Sequence, residues 1–119
     1  MKEPIAQPRI IKSAEAAWED HPRFAGIQMK GLITKEDNPY ASISVVHVPP
    51  GGEVGWHLHG TQIETVYLLR GQAVLTIGTL ESPMTSGSIV AIPAGAKHAL
   101  RNVGSDSVEL LAIFTPPNS

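Results

Sequence analysis

Hydrophobic and polar residues alternate in short stretches of this chain, and turn-forming residues separate the stretches. The clearest β-rich stretches are 43–48 (ISVVHV), 64–69, 73–77, 89–92 and 108–114 (VELLAIF). Proline and glycine follow several of them, in the sequences PPGG and PAG. Stretches of this kind predict strands joined by tight turns. Arg70-Gly71, between the second and third stretches, predicts a hairpin.

The N-terminal part of the chain carries weaker signals. Residues 5–12 could pair as an edge strand, since Pro4 and Pro8 exclude a central position in a sheet. Residues 13–20 (SAEAAWED) begin like a helix, which Pro22 would end within about two turns. Many short strands with one helix-like segment indicate an all-β barrel or jelly roll.

Composition and charge limit the classes of function. The chain has 119 residues, of which 42% are hydrophobic and 17% charged, as expected for one globular domain. The formal net charge is -2 and no segment concentrates Lys and Arg, so a nucleic-acid or membrane partner has no electrostatic support. Cysteine is absent, which excludes disulfides and thiolate metal ligands. The sequence contains no signal peptide and no run of about 20 apolar residues, so a cytoplasmic location is expected.

Three of the five histidines lie in two patterned stretches. His57 and His59 are two residues apart, so they project from one face if the chain is extended there. Glu64 follows across a loop, and His98 follows the turn at 93–95. Three imidazoles and one carboxylate suit a divalent first-row metal, and inward-facing residues of a barrel can converge on one point. The histidine pair alone is a weak signal, because a histidine in a strand usually packs or faces solvent.

The glycines and the proline around these residues strengthen the metal-site interpretation. The patterns Gly51-x5-His57-x-His59-x4-Glu64-x6-Gly71 and Gly87-x5-Pro93-x-Gly95-x2-His98-x3-Asn102 resemble the two conserved motifs of the cupin superfamily at every defining position. The short separation between the two motifs is similar to that of small single-domain prokaryotic cupins. Ser88 departs from the pattern, since many cupins have Asp there, but that Asp is not a metal ligand.

The resemblance implies a double-stranded β-helix with an extended N-terminal segment. Residues 1–119 would form a single domain, with motif 1 at 51–71 and motif 2 at 87–102. The resemblance also implies one divalent metal ion per chain, and its four ligands would be His57, His59, Glu64 and His98. Mixed imidazole and carboxylate ligands favour Mn(II) or Fe(II), with Ni, Co, Zn or Cu as alternatives. Small cupins of this kind are commonly dimers, so we expect a homodimer.

The other two histidines and two aromatic residues are expected to have structural positions. His47, on the strand before the first motif, is expected to be structural. His21 is expected to be exposed. Trp18 and Phe24 are expected to cover one end of the core.

Residues that alternate with the ligand positions indicate which side chains face the pocket. Trp56 and Tyr67 flank ligand positions and are expected outside the pocket. Three apolar residues share parity with Glu64 or His98 and predict a largely apolar interior near the metal: Val66, Leu68 and Leu100.

Three classes of function remain open. The first is a metal-dependent oxygenase or decarboxylase that acts on a small carboxylate, enol or diketone substrate, bound at the coordination positions that the protein leaves open. The second is a Lewis-acid isomerase, lyase or cyclase, and the third is a non-catalytic small-molecule-binding module. The complete set of four ligands favours catalysis. Glu64, once detached from the metal, is the candidate catalytic base among the side chains, and no GxSxG elbow, P-loop or dinucleotide fingerprint is present.

Overall fold

Two antiparallel sheets make up the fold. The structure is a computed structural model that describes residues 7–118. Its strands are β1 (Glu19–Asp20), β2 (Gln28–Ile33), β3 (Ser42–Val48), β4 (Glu53–His57), β5 (Ile63–Arg70), β6 (Ala73–Ile77), β7 (Leu80–Met84), β8 (Ile89–Ile92), β9 (His98–Asn102) and β10 (Val108–Thr115). One sheet has the order β1-β2-β3-β10-β5-β8 and the other β4-β9-β6-β7. The prediction of an all-β double-stranded β-helix is confirmed.

The core lies between the two sheets and is built from alternate strand positions. In β5, the buried residues are Glu64, Val66 and Leu68, and the residues between them are partly exposed. The same alternation runs along β10, as expected for strands with one face on the core. Leu100 of β9 joins Val66 and Leu68 in the core. The predicted apolar interior is therefore confirmed.

Gly71 does not form the predicted hairpin. β5 belongs to the six-stranded sheet and β6 to the four-stranded sheet, so the chain passes from one sheet to the other at this residue. Gly71 has a φ of 92°, and a Cβ there would lie 2.7 Å from the carbonyl oxygen of Ser107 and 2.9 Å from Cα of Val108. The close approach of the start of β10 therefore explains the glycine. The hairpin in this region is β6–β7, joined by Gly78 and Thr79.

The segment before β2 differs from its predicted structure. Residues 13–20 do not form a helix of two turns: they contain one 3-10 turn, Ser13–Glu15, and the two-residue strand β1. Residues 7–12 of the predicted edge strand have no strand pairing in this chain, while residues 5 and 6 lie outside the described residues. No helix within residues 7–118 is long and apolar enough to cross a membrane.

The two aromatic residues of this segment have different positions. Phe24 packs against the core, as predicted. Trp18 does not cover the core, because its ring lies 4.3 Å from Nζ of Lys30 and 5.6 Å from the ring of His47. Lys30 also donates a hydrogen bond to the carbonyl oxygen of Ser13. Trp18 and Lys30 thus hold the start of the described chain against β2 and β3.

Candidate metal centre

The four predicted ligand residues come from three strands and one loop. His57 is the last residue of β4, Glu64 lies near the start of β5, and His98 is the first residue of β9. His59 lies in the loop after β4, so the two histidines are not presented by one strand. The N–H of Gly95 donates to the carbonyl oxygen of His59 over 2.7 Å. This bond holds the loop next to the turn that precedes His98.

A β-bulge places His57 opposite His98. In the pairing of β4 with β9, Val54 lies opposite Leu100 and His57 opposite His98, so two residues of β4 face a single residue of β9. Val54 and His57 both line the same cavity although they are three residues apart. A bulge of this kind changes the direction of a side chain, and the rings of His57 and His98 lie 4.2 Å apart.

Glu64 joins the histidines across the two sheets. Its Oε1 lies 3.1 Å from Nε2 of His98 and 3.4 Å from Nε2 of His59. One nitrogen or oxygen atom from each of the four residues lies within 4.8 Å of the others. The cluster could therefore hold a metal ion, and its composition suits a divalent first-row metal.

Hydrogen bonds to the backbone fix the orientation of two rings. Nδ1 of His57 donates to the carbonyl oxygen of Gly55 over 2.7 Å, and Nδ1 of His98 donates to that of Ala96 over 2.9 Å. Each bond leaves Nε2 as the metal-binding nitrogen, as in many histidine metal sites. Nε2 of His59 is buried, and although it lies 3.4 Å from Oε1 of Glu64, it has no partner with hydrogen-bond geometry among the described residues. Coordination would satisfy this nitrogen, so the donor set fits a metal ion.

The charges of the cluster depend on one another. Burial alone would raise the pKa of Glu64, but the imidazoles of His59 and His98 outweigh burial and lower it to about 2. Burial opposes protonation of His98, yet its bonds to Glu64 and Ala96 raise its pKa above 6.5. Burial lowers the pKa of His57. At neutral pH the cluster therefore holds an ionised carboxylate and one imidazole that keeps its proton more strongly than usual.

A cavity of about 420 Å³ lies next to the cluster. Most of its wall is apolar, and the ring of Phe114 packs 4.8 Å from that of His59. Trp56 and Tyr67 are absent from the described lining, as predicted. Glu64 is the one carboxylate among the described lining residues.

Four polar residues of the lining were not predicted from the sequence: His21, Arg23, Ser44 and Asn118. His21 is partly buried and lines the cavity, so the expectation that it is exposed is wrong. Arg23 lines the cavity as well. The backbone N–H groups of Arg23 and Phe24 donate to Nδ1 of His21, which folds this segment into a turn. The sequence His21-Pro22 is typical of a turn, but it does not indicate which way the turn faces.

The remaining polar motif residue stabilises a turn away from the cluster. Nδ2 of Asn102 donates to the carbonyl oxygens of Val48 and Asp106. The N–H of Gly104 donates to its Oδ1. Asn102 therefore closes the loop between β9 and β10.

The fold, the motif spacing and the histidine cluster together define the class of the protein. A family model for the cupin domain matches residues 44–114, which is more than half of the chain. The chain belongs to the cupin family.

Comparisons with individual proteins agree with this family. The chain is 27% identical over 111 residues to the oxalate-binding protein of Thermotoga maritima, covering 88% of this chain and 92% of that protein. A solved structure from Thermotoga maritima, described as a predicted oxalate decarboxylase, is 26% identical with a TM-score of 0.82, covering 90% of this chain and 98% of that chain. The polyketide cyclase RemF of Streptomyces resistomycificus has the same fold, with a TM-score of 0.80 at 18% identity over 92% of this chain and 80% of that chain.

Proposed function

We propose that this cupin is a metal-dependent enzyme of the oxygenase or decarboxylase type that acts on a small carboxylate, enol or diketone. The observation that carries the proposal is the cluster of His57, His59, Glu64 and His98 beside a cavity of about 420 Å³. Mn(II) or Fe(II) is the favoured ion for this donor set. When bound, the ion would polarise substrate oxygens and supply redox chemistry.

The cavity supports binding of an organic substrate. Its volume lies within the range of about 300–1,000 Å³ that is usual for small-molecule sites. Its apolar wall, which includes Val66, Leu100 and Phe114, would exclude water from a bound substrate. The similarity to an oxalate-binding protein supports a substrate with a carboxylate group.

Glu64 has two roles in this proposal. Its carboxylate is ionised at neutral pH, because its pKa is about 2, so it can bind a cation. As the one carboxylate among the described lining residues, it is also the candidate base for accepting a substrate proton once it has detached from the metal. Both roles require the negative charge, so an amide at this position should impair both.

Non-catalytic binding of a small carboxylate is the second candidate function. The name of the Thermotoga maritima relative, an oxalate-binding protein, favours it. A Lewis-acid isomerase, lyase or cyclase would use the same residues without oxygen. Turnover and its need for oxygen separate these classes.

The test is a turnover assay with metal-free protein reloaded with Mn(II), Fe(II), Ni(II) or Zn(II). Small carboxylates, enols and diketones are offered with and without oxygen, and substrate loss, carbon dioxide release and oxygen uptake are recorded. We expect turnover with Mn(II) or Fe(II), and a loss of about 100-fold or more in the Glu64→Gln variant, in the range usual for loss of a general base. Glu109→Gln is the control, because Glu109 pairs with Arg70 outside the cavity.

The outcomes separate the three classes. Turnover with oxygen uptake or carbon dioxide release supports the proposal. Oxygen-independent conversion of a substrate to an isomer, cleavage product or cyclised product without release of carbon dioxide would contradict it and favour the Lewis-acid class. Binding of a carboxylate without turnover in any metal form would favour the non-catalytic module.

A further inference from the structure

Arg23 differs from the other arginines of the chain. Arg9, Arg70 and Arg101 each have a carboxylate within 4.0 Å. Within residues 7–118, Arg23 has no such partner, and its guanidinium carbon lies 5.3 Å from the centre of the Phe24 ring. Because Arg23 also lines the cavity, this cation is available to a ligand there.

His21 adds a neutral hydrogen-bond donor beside this cation. Its Nδ1 accepts the N–H groups of Arg23 over 3.0 Å and Phe24 over 3.3 Å. A neutral imidazole that accepts at Nδ1 carries its proton on Nε2. Burial and then the charge of Arg23 lower the pKa of His21, which keeps the ring neutral at pH 7. His21 and Arg23 thus offer two donors to the same cavity, and the charged one can form a strong hydrogen bond with a carboxylate.

Phe24 lies close to both the donors and the metal cluster. Its ring lies 4.9 Å from the ring of His21 and 5.2 Å from the ring of His57. The Phe24 ring also packs over Gly55, where a Cβ would lie 3.4 Å from it, at ordinary contact distance. The donors and the metal cluster are therefore linked through a single aromatic ring.

Charge in the cavity favours an anionic ligand. Among the described lining residues, Glu64 carries the one negative charge and Arg23 the one permanent positive charge. A divalent ion at the cluster would leave the cavity with an excess of positive charge. A two-carbon acid at the cluster would leave Arg23 without a ligand contact and most of the cavity of about 420 Å³ unfilled.

We propose that His21 and Arg23 form an anion subsite that binds a carboxylate of the substrate. The substrate would then be an elongated molecule with a chelating oxygen pair at the metal end, a short carbon body beside Phe24 and a carboxylate at Arg23. The inference rests on the proposed function, because the carboxylate at Arg23 would belong to the same substrate molecule that binds the metal.

The test is a binding measurement with two pairs of probes. 2-Oxoadipate is compared with 2-oxohexanoate, and 2-oxoglutarate with 2-oxopentanoate; within each pair the 2-oxo acid group and chain length are equal and only the terminal carboxylate differs. Isothermal titration of Mn(II)-loaded protein should show that one dicarboxylate or both bind about tenfold tighter than the matched monocarboxylate, as expected for a charge-assisted contact. Arg23→Gln should remove this preference by weakening dicarboxylate binding to the level of the matched monocarboxylate. Arg70→Gln, which alters an arginine outside the described lining, should retain it.

The results decide the inference without measuring turnover. Equal affinities within both pairs, a preference that survives Arg23→Gln, or binding of none of the four probes would overturn it. A preference that disappears in Arg23→Gln supports it, even if the protein converts none of the probes. Turnover is decided separately, by the assay with carboxylates, enols and diketones described for the proposed function.

Discussion

At the scale of single residues, the orientation of two imidazole rings is set by a backbone carbonyl group two residues before each histidine. His57 donates from Nδ1 to the carbonyl of Gly55, and His98 donates to the carbonyl of Ala96. The same local contact thus occurs at both residues of the pair formed by His57 of β4 and His98 of β9. Because each contact occupies Nδ1, both rings present Nε2 without rearrangement, which lowers the cost of binding an ion.

Removing imidazoles from the cluster should remove the metal. His57→Ala, His59→Ala or His98→Ala should each lose most bound ion, because three ligands hold it more weakly, and His57→Ala/His98→Ala should lose all of it. Elemental analysis of purified protein measures the content. His47→Ala is the control, since His47 packs on Trp18 away from the cluster. Stoichiometric metal in the double variant would contradict the proposed ligands.

Metal affinity should fall as the pH is lowered. Binding requires Nε2 of His98 without its proton, and the pKa of His98 is raised above 6.5. Affinity should therefore be greatest above that raised pKa and decrease through and below pH 6.5, by about tenfold per pH unit for each proton displaced. Glu64, with a pKa of about 2, stays ionised and adds no dependence in this range. Titrating the protein with metal at several pH values from 7.5 to 5 measures the affinity. A constant affinity over this range would exclude histidine ligation.

At the scale of the elements, sequence alternation predicted the strands of the core well. The stretches 73–77 and 89–92 correspond to β6 and β8, and 43–48 to most of β3. Alternation is visible there because one face of each strand is buried. β4 is harder to predict, since its bulge at Gly55 and Trp56 interrupts the alternation.

Close approach of two parts of the chain cannot be read from local sequence, as Gly71 shows. Its position between two β-rich stretches predicted a hairpin, whereas contact with Val108 determines its role. Substituting alanine tests this explanation. Gly71→Ala should destabilise the fold by the cost of positive φ, about 1–2 kcal/mol, plus about 1–3 kcal/mol for the clash.

Gly78→Ala is the matched control for Gly71→Ala. Gly78 also has a positive φ, of 57°, but a Cβ there meets nothing within 4 Å. Gly78→Ala should therefore lower the free energy of unfolding only by the cost of a positive φ. Urea denaturation of both variants measures the difference, and equal losses of stability would show that contact with β10 is unimportant at Gly71.

The candidate site was predictable where its residues follow a spaced motif. The four cluster residues were found from motif spacing, although His59 lies in a loop and not on a strand. His21 and Arg23 could not be assigned to the cavity, because a turn has no periodicity from which its face can be inferred. Their position depends on how Phe24 packs over Gly55, which is a contact between distant parts of the chain.

At the scale of the whole molecule, the exposed edges of the sheets support the prediction of a homodimer. β8 is an edge strand of the six-stranded sheet, and its first residue, Ile89, is 64% exposed. Pairing with a second copy is one way to cover such an edge. Sedimentation equilibrium at micromolar concentration should give about twice the chain mass of 12.7 kDa. A mass equal to one chain would rule the homodimer out.

The position of β10 affects when the predicted metal site can form during synthesis. β10 is the last strand of the described chain, yet it lies between β3 and β5, which do not pair with each other. Glu64 of β5 lies opposite Phe114 of β10, whereas His57 and His98 pair within the other sheet. Glu64 also lies opposite Ile92 of β8, but β10 joins β5 to β3, so the sheet that carries the carboxylate is completed last. We therefore expect full metal affinity only after residue 115 has left the ribosome, which would make metal loading a late, largely post-translational event.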